Sequence, residues 1–181
     1  GKDKTRKILD ESEIEKNISN IQKILMKFLN TDDPEIKPIF VNNHTWLKDL
    51  NYISFLRDIG KHFTINKMLT FDSVKTRLDR EQSLSYMEFN YMILQAYDFL
   101  ELNIKENCAL QIGGSDQWGN IINGVELIKR YCNKESFGLT TPLITLATGA
   151  KMGKTEKGAI WLDEKFLSAY DYWQFWRNTD D

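Results

Sequence analysis

Along this chain the apolar residues change their spacing several times, and each change predicts a different element. Ile14, Ile18, Ile21, Leu25 and Phe28 recur on one helical face. Ser12 stands three residues before Glu15, a capping box that predicts an amphipathic helix opening there. A polar loop from Asn30 to Pro38 holds two of the three prolines, and Ile39-Phe40-Val41 then predicts a short strand. Short helices follow. Asn51 is expected to cap Ile53, Phe55, Leu56 and Ile59, with Gly60 at the end, and Thr64 and Asp72 to open the turns carrying Met68 and Val74. Ser85 and Glu88 form a second capping box ahead of Phe89, Met92, Ile93, Ala96, Phe99 and Leu100, a helix apolar enough to be largely buried.

The second half of the chain alternates strand and helix signals. Cys108 to Ile112 suits a buried strand, Gly113 and Gly114 break it, and Ile121, Ile122, Val125 and Ile128 resume helical spacing. Leu143 to Leu146, with Pro142 at its start, predicts another strand, and Ser168 caps a last helix whose Tyr172, Trp173 and Trp176 are expected to be core. The pattern as a whole is α/β, with a largely helical region from residue 12 to about 102.

Composition narrows the class. The chain has 181 residues, 41% hydrophobic and 28% charged, which is ordinary for a globular domain and excludes disordered and collagen-like chains. There is no apolar run of the ~20 residues a bilayer requires, and the start is charged, so an intracellular protein is expected. A net charge of −2 argues against bulk polyanion binding but leaves room for a local basic patch. Cys108 and Cys132 lack the spacing of a zinc site and read as packing residues. Both ends look like cuts through a longer chain.

Candidate chemistry sits at three places. In Leu110-Gln111-Ile112-Gly113-Gly114-Ser115-Asp116-Gln117-Trp118-Gly119-Asn120 a strand would run through a tight loop into a helix, with Asp116 and Gln117 where open α/β sheets bind ligands. The glycines match neither G-x-G-x-x-G nor the Walker loop, so a backbone-cradled triphosphate is not expected. Tyr91, Gln95 and Asp98 share one helix face, as a polar pocket, an internal hydrogen-bonded network or an exposed face would require. Lys151, Lys154 and Lys157 lie between glycines in a loop that suits either a transient polyanion or solvent, and Lys2, Lys4, Arg6 and Lys7 read alone as a solvated end. The sequence sets no clear carboxylate or Cys beside His44 or His62 to make a catalytic or metal site, and both read as structural.

Tyr91-Met92-Ile93-Leu94-Gln95-Ala96-Tyr97-Asp98-Phe99, Leu110 to Asn120 and Lys151-Met152-Gly153-Lys154-Thr155, in this order, resemble the bacterial and organellar tyrosyl-tRNA synthetase family, the last as a variant of the Lys-Met-Ser-Lys-Ser signature. The resemblance implies an incomplete Rossmann-like class I synthetase catalytic domain with a largely helical connective and dimer-contact region. Its parts would be a basic loop, connective helices and the tyrosine-pocket helix at 1–102, the second half of the nucleotide fold at 103–150, and the signature loop with the start of a helical region at 151–181. Asp98 would then accept the substrate's phenolic proton, Tyr91 and Gln95 would hold its ammonium, and Gln117 would stand beside the reacting carboxyl. Asp116 and the Gly114 backbone would hold the ATP ribose, and Leu143 and Ile144 would flank adenine. Lys151, Lys154 and Thr155, with Lys2 and Arg6, would hold the pyrophosphate in the transition state. The implied partners are tyrosine, ATP with Mg²⁺ but no protein metal site, tRNA(Tyr) and a second copy of the chain, in the cytoplasm or an organelle matrix and away from membranes. The family's His-Ile-Gly-His signature is absent, so the piece alone is expected to be inactive; a non-catalytic relative binding RNA or a partner subunit is the rival reading.

Overall fold

The computed structural model describes residues 9–29, 33–145, 152 and 160–179. Its helices are α1 (Glu11–Leu25), α2 (His44–Leu47), α3 (Tyr52–Asp58), α4 (Ile65–Met68), α5 (Asp72–Asp79), α6 (Tyr86–Glu106), α7 (Trp118–Cys132) and α8 (Ala169–Arg177), and its strands are β1 (Leu110–Gly114) and β2 (Phe137–Thr141). These fall into two compact units, one holding α1 and α8, the other everything from α2 to β2.

In the first unit α1 is capped by Asp10, not Ser12. Asp10 Oδ1 accepts from the Glu13 backbone N–H at 2.8 Å, and the Glu13 side chain accepts in return from the Asp10 N–H. Ser12, already inside the helix, gives its hydroxyl to Asp10 at 2.8 Å. The helix stops at Leu25, leaving Phe28 in the following turn, with its ring 6.3 Å from that of Tyr172. Ser168 caps α8 through the Asp171 N–H, as expected. The aromatic stripe of α8 is not core, however: Trp173 and Trp176 are 51% and 38% exposed, and the guanidinium of Arg177 lies 5.0 Å from the Trp173 ring centroid. Ile39, Phe40 and Val41 are exposed and belong to no strand.

The second unit is built on α6 and α7. Met92, Ile93, Ala96, Phe99 and Leu100 of α6 meet Leu127 and Ile128 of α7, with Ile59 just past α3, Met68 of α4 and Val74 of α5 closing the same core. Gly124 makes the approach possible, because a Cβ there would lie 2.9 Å from Phe99 Cδ1 and 3.1 Å from Phe99 Cβ. Another face of α7 covers the sheet, where Ile121 is buried against Gly113 and Gly138. The strands pair in parallel, from Leu110 opposite Phe137 to Gly114 opposite Thr141. Their outward face carries Leu110, Ile112, Phe137 and Leu139, all exposed.

Both strands are shifted from their expected positions. Gly113 and Gly114 are the last two residues of β1 instead of its loop, since pairing with Thr140 and Thr141 extends the ladder through them. The second strand ends before Pro142, whose missing N–H cannot serve a ladder, so Leu143 and Ile144 lie beyond it and Leu146 lies outside the described residues. Asp72 is the first residue of α5 and Phe71 its cap, while Asn51 and Thr64 take the cap positions expected of them. The Ser85 box opens α6 as the sequence requires: Ser85 Oγ accepts from the Glu88 N–H at 3.2 Å, and Glu88 Oε2 accepts from the Ser85 N–H at 3.0 Å.

Two stability predictions follow from these contacts. Gly124→Ala forces a methyl into the fully buried Phe99 and is expected to cost about 1–3 kcal/mol in urea unfolding. The Glu88 carboxyl is held down at about 2 by the Ser85 N–H, then by the Arg77 guanidinium and the Ser85 hydroxyl. A carboxyl depressed in the fold stabilises fully above its ordinary 4.5 and loses that effect as pH falls towards 2. Glu88→Gln should therefore lower the thermal midpoint at neutral pH, and the gap to the parent should close between pH 4.5 and 2.

Candidate functional site

Asp98 lies on the fourth turn of α6, with both carboxylate oxygens taken up by groups more than fifty residues earlier in the chain. Trp46 Nε1 donates to Oδ1 at 2.8 Å, and Asn43 Nδ2 donates to Oδ2 at 3.1 Å. A carboxylate offers about four acceptor positions. Two remain for a further donor, so the group is oriented without being exhausted.

The sequence places Tyr91 and Gln95 on the Asp98 face, and α6 is continuous through all three. Gln95 is half-buried and Tyr91 59% exposed. The contacts that fix Asp98 come from neither of them. Asn43 and Trp46 were missed because α2 is only four residues long and has no periodicity of its own. Their one signal is a spacing of three that brings an amide and an indole to one side of a helical turn.

A quarter-turn round α6 from this face, Tyr86, Asn90 and Leu94 line a separate apolar cleft of about 340 Å³ with Leu47, Leu50, Tyr52 and Phe55. The Tyr52 and Tyr86 hydroxyls meet at 2.7 Å across it, which raises the Tyr52 phenol above its ordinary range. Tyr52 and Tyr86, which line this cleft, and their chain neighbours Ile53 and Met87 are all more than half exposed.

The second cluster lies where β1 passes into α7. Gly114 ends the strand with φ −71°, a conformation open to any residue, so its role is space. A Cβ on Gly114 would lie 2.6 Å from Leu143 Cδ2 and 2.8 Å from Asp116 Oδ1. The structure thus gathers Gly114, Asp116 and Leu143 at one point, with Ile144 next in the chain and 47% exposed. Asp116 is exposed in the 3-10 turn Ser115–Gln117. Gln117 is half-buried and accepts from Asn120 Nδ2 at 3.1 Å, leaving its own amide N–H groups to donate elsewhere. Lys2, Arg6, Lys151, Lys154 and Thr155 lie outside the described residues.

His62 plays a structural part: its carbonyl accepts from Arg130, its ring meets Tyr131 edge-on at 6.1 Å, and burial, then Lys61 and Arg130, lower its pKa. Lys67 and Arg130 both pair with Glu126 beside it. Among the described residues no three His, Cys, Asp or Glu side chains gather as a metal site.

The short parallel sheet under α7, with the helix pair α6–α7, fits an incomplete Rossmann-like α/β fold, the catalytic-domain architecture of class I synthetases. The family model described as "tRNA synthetases class I (W and Y)" matches residues 1–181, and the chain belongs to this family. The tyrosine–tRNA ligase of Pelagibacter ubique (strain HTCC1062) is 82% identical over 181 residues, 100% of this chain and 44% of its own length. That of Zymomonas mobilis subsp. mobilis is 61% identical over 180 residues, 99% of this chain and 44% of its own. The chain therefore spans less than half the length of these curated relatives. A C-terminally truncated mitochondrial tyrosyl-tRNA synthetase from Aspergillus nidulans superposes with a TM-score of 0.74 at 28% identity, over 98% of this chain and 54% of that one. The tryptophanyl-tRNA synthetase of Campylobacter jejuni, at 16% identity and a TM-score of 0.60 over 87% of this chain and 49% of its own, shares the fold.

The packing at Gly114 yields a test. Gly114→Ala should lose about 1–3 kcal/mol of stability in urea unfolding. Leu143→Ala in the same chain should recover part of it, a coupling that a double-mutant cycle measures.

Proposed function

We propose that the protein carrying this chain activates tyrosine with ATP, forming tyrosyl-adenylate and pyrophosphate, and then transfers the tyrosyl group to tRNA(Tyr). The observation that carries this reading is the oriented, unexhausted carboxylate of Asp98, held by Trp46 and Asn43 on the helix that also bears Tyr91 and Gln95. A half-buried acceptor with room for one more hydroxyl selects a phenol over a phenyl ring, because the latter leaves the carboxylate partly desolvated and short of a partner.

In this reading Tyr91 and Gln95 hold the ammonium of the amino acid. Gln117, its oxygen engaged by Asn120, donates towards the reacting carboxyl. Asp116 and the Gly114 backbone hold the ribose, and Leu143 and Ile144 flank the base. The tyrosine carboxylate attacks the α-phosphorus and pyrophosphate leaves, so no side-chain nucleophile is needed and positioning does the work. Lys151, Lys154 and Thr155, with Lys2 and Arg6, would neutralise the leaving pyrophosphate. Mg²⁺ would enter with the nucleotide.

The exposed apolar patch of Tyr52, Ile53, Tyr86 and Met87 supports pairing with a second copy. The reaction places the protein with its tRNA, in the cytoplasm or an organelle matrix; no described helix is long and apolar enough to cross a membrane.

The test is amino-acid-dependent ATP–pyrophosphate exchange by the full-length protein. Tyrosyl enzymes are the reference case for hydroxyl selection, at about 10⁵ against phenylalanine. Asp98→Ala should reduce the tyrosine-to-phenylalanine ratio of kcat/KM by ~10²-fold or more. A preserved ratio in a folded variant would make Asp98 structural and move the pocket elsewhere.

A further inference from the structure

The indole that holds Asp98 is itself held. The ammonium of Lys105 stands 5.3 Å from the centroid of the Trp46 ring, whose Nε1–H points at Asp98 from 2.8 Å. Lys105 lies two turns beyond Asp98 on α6, which returns it to the same face. Between them Glu101 accepts from Lys105 Nζ at 2.8 Å, and the Glu101 side chain is only 14% exposed. Burial, then the hydrogen bond that its hydroxyl gives Glu101, raises Tyr97 above the ordinary phenol range. The Tyr97 ring is fixed in turn edge-on to Phe55, at 5.3 Å and 86°. A half-exposed lysine on a helix would ordinarily swing free. Here a mostly buried carboxylate with a second anchor sets where its charge stands.

We propose that Lys105, locked by Glu101, is a positioning residue for substrate selection, its charge fixing the Trp46 ring and strengthening the Nε1–H donor that orients Asp98. This rests on the tyrosine-pocket reading above. A cation over the face of an indole is attracted by the ring's quadrupole and draws electron density from it. The ring N–H becomes more polar, and its bond to the carboxylate tightens in the manner of linked hydrogen bonds. An ordinary Glu–Lys pair one turn apart would steady the helix by a few tenths of a kcal/mol and leave selectivity alone.

The two cases separate in the full-length protein. Lys105→Met keeps a long apolar stem and removes the charge, Lys105→Arg keeps a cation that stacks on indole, and Glu101→Gln frees the lysine without altering it. The first readout is the ¹⁵N-tryptophan indole spectrum, with the Trp46 signal assigned by its loss in Trp46→Phe. The second is the tyrosine-to-phenylalanine ratio of kcat/KM. Lys105→Met and Glu101→Gln should shift the Trp46 signal and lower the ratio about two- to fivefold, through KM for tyrosine with kcat held; the factor corresponds to a half-exposed cation–π contact. Lys105→Arg should restore both readouts. If the ratio falls in Trp46→Phe while Lys105→Met and Glu101→Gln leave signal and ratio unchanged, the pocket stands and the role of Lys105 is overturned. If Trp46→Phe and Asp98→Ala both leave the ratio intact, the pocket reading fails, and this inference with it.

Discussion

The packing of α6 on α7 is the contact on which the rest of the second unit depends. It is set by one absence, the missing Cβ of Gly124, which lets the two helices close over Phe99. α6 carries Asp98 one residue before that phenylalanine, and α7 begins at the turn bearing Asp116 and Gln117. The distance between the acceptor of one candidate pocket and the loop of the other is therefore fixed by a core contact that touches neither. The ring edges and ion pairs at the periphery only tune what this contact has placed.

The site follows a recurrent logic of using local chemistry to aim and distant chemistry to hold. The Ser85 capping box and the apolar face of α6 build a helix whose polar residues face one way whatever the tertiary context. What gives Asp98 its orientation comes from α2, a single turn too short to persist by itself. At the β1–α7 junction the pattern repeats, with Gln117 turned by Asn120 three residues later and Asp116 meeting Leu143 from beyond the second strand.

How much could be read from the residues alone divides along the same line. The caps at Ser85, Asn51 and Ser168 and the shared face of Tyr91, Gln95 and Asp98 were legible, because each is written within two turns of chain. The first cap was misassigned because Asp10-x-x-Glu13 and Ser12-x-x-Glu15 offer the same pattern two residues apart, and only backbone geometry chooses between them. The strand ends moved because pairing decides them: Gly113 and Gly114 look like a break until Thr140 and Thr141 lie beside them. Asn43 and Trp46 stayed invisible because their meaning depends on a carboxylate more than fifty residues away.

The outward face of the two-stranded sheet bears on how this stretch can be handled at the bench. Leu110 stands beside Phe137 and Ile112 beside Leu139, an apolar ladder open to solvent on strands whose parallel kind is normally covered on both sides. With its outer edges also unoccupied among the described residues, such a ladder is a template for another copy of itself. Purified as an isolated piece, residues 1–181 should be most tractable in dilute solution or with a fused solubilising partner, and concentration will favour aggregates over crystals.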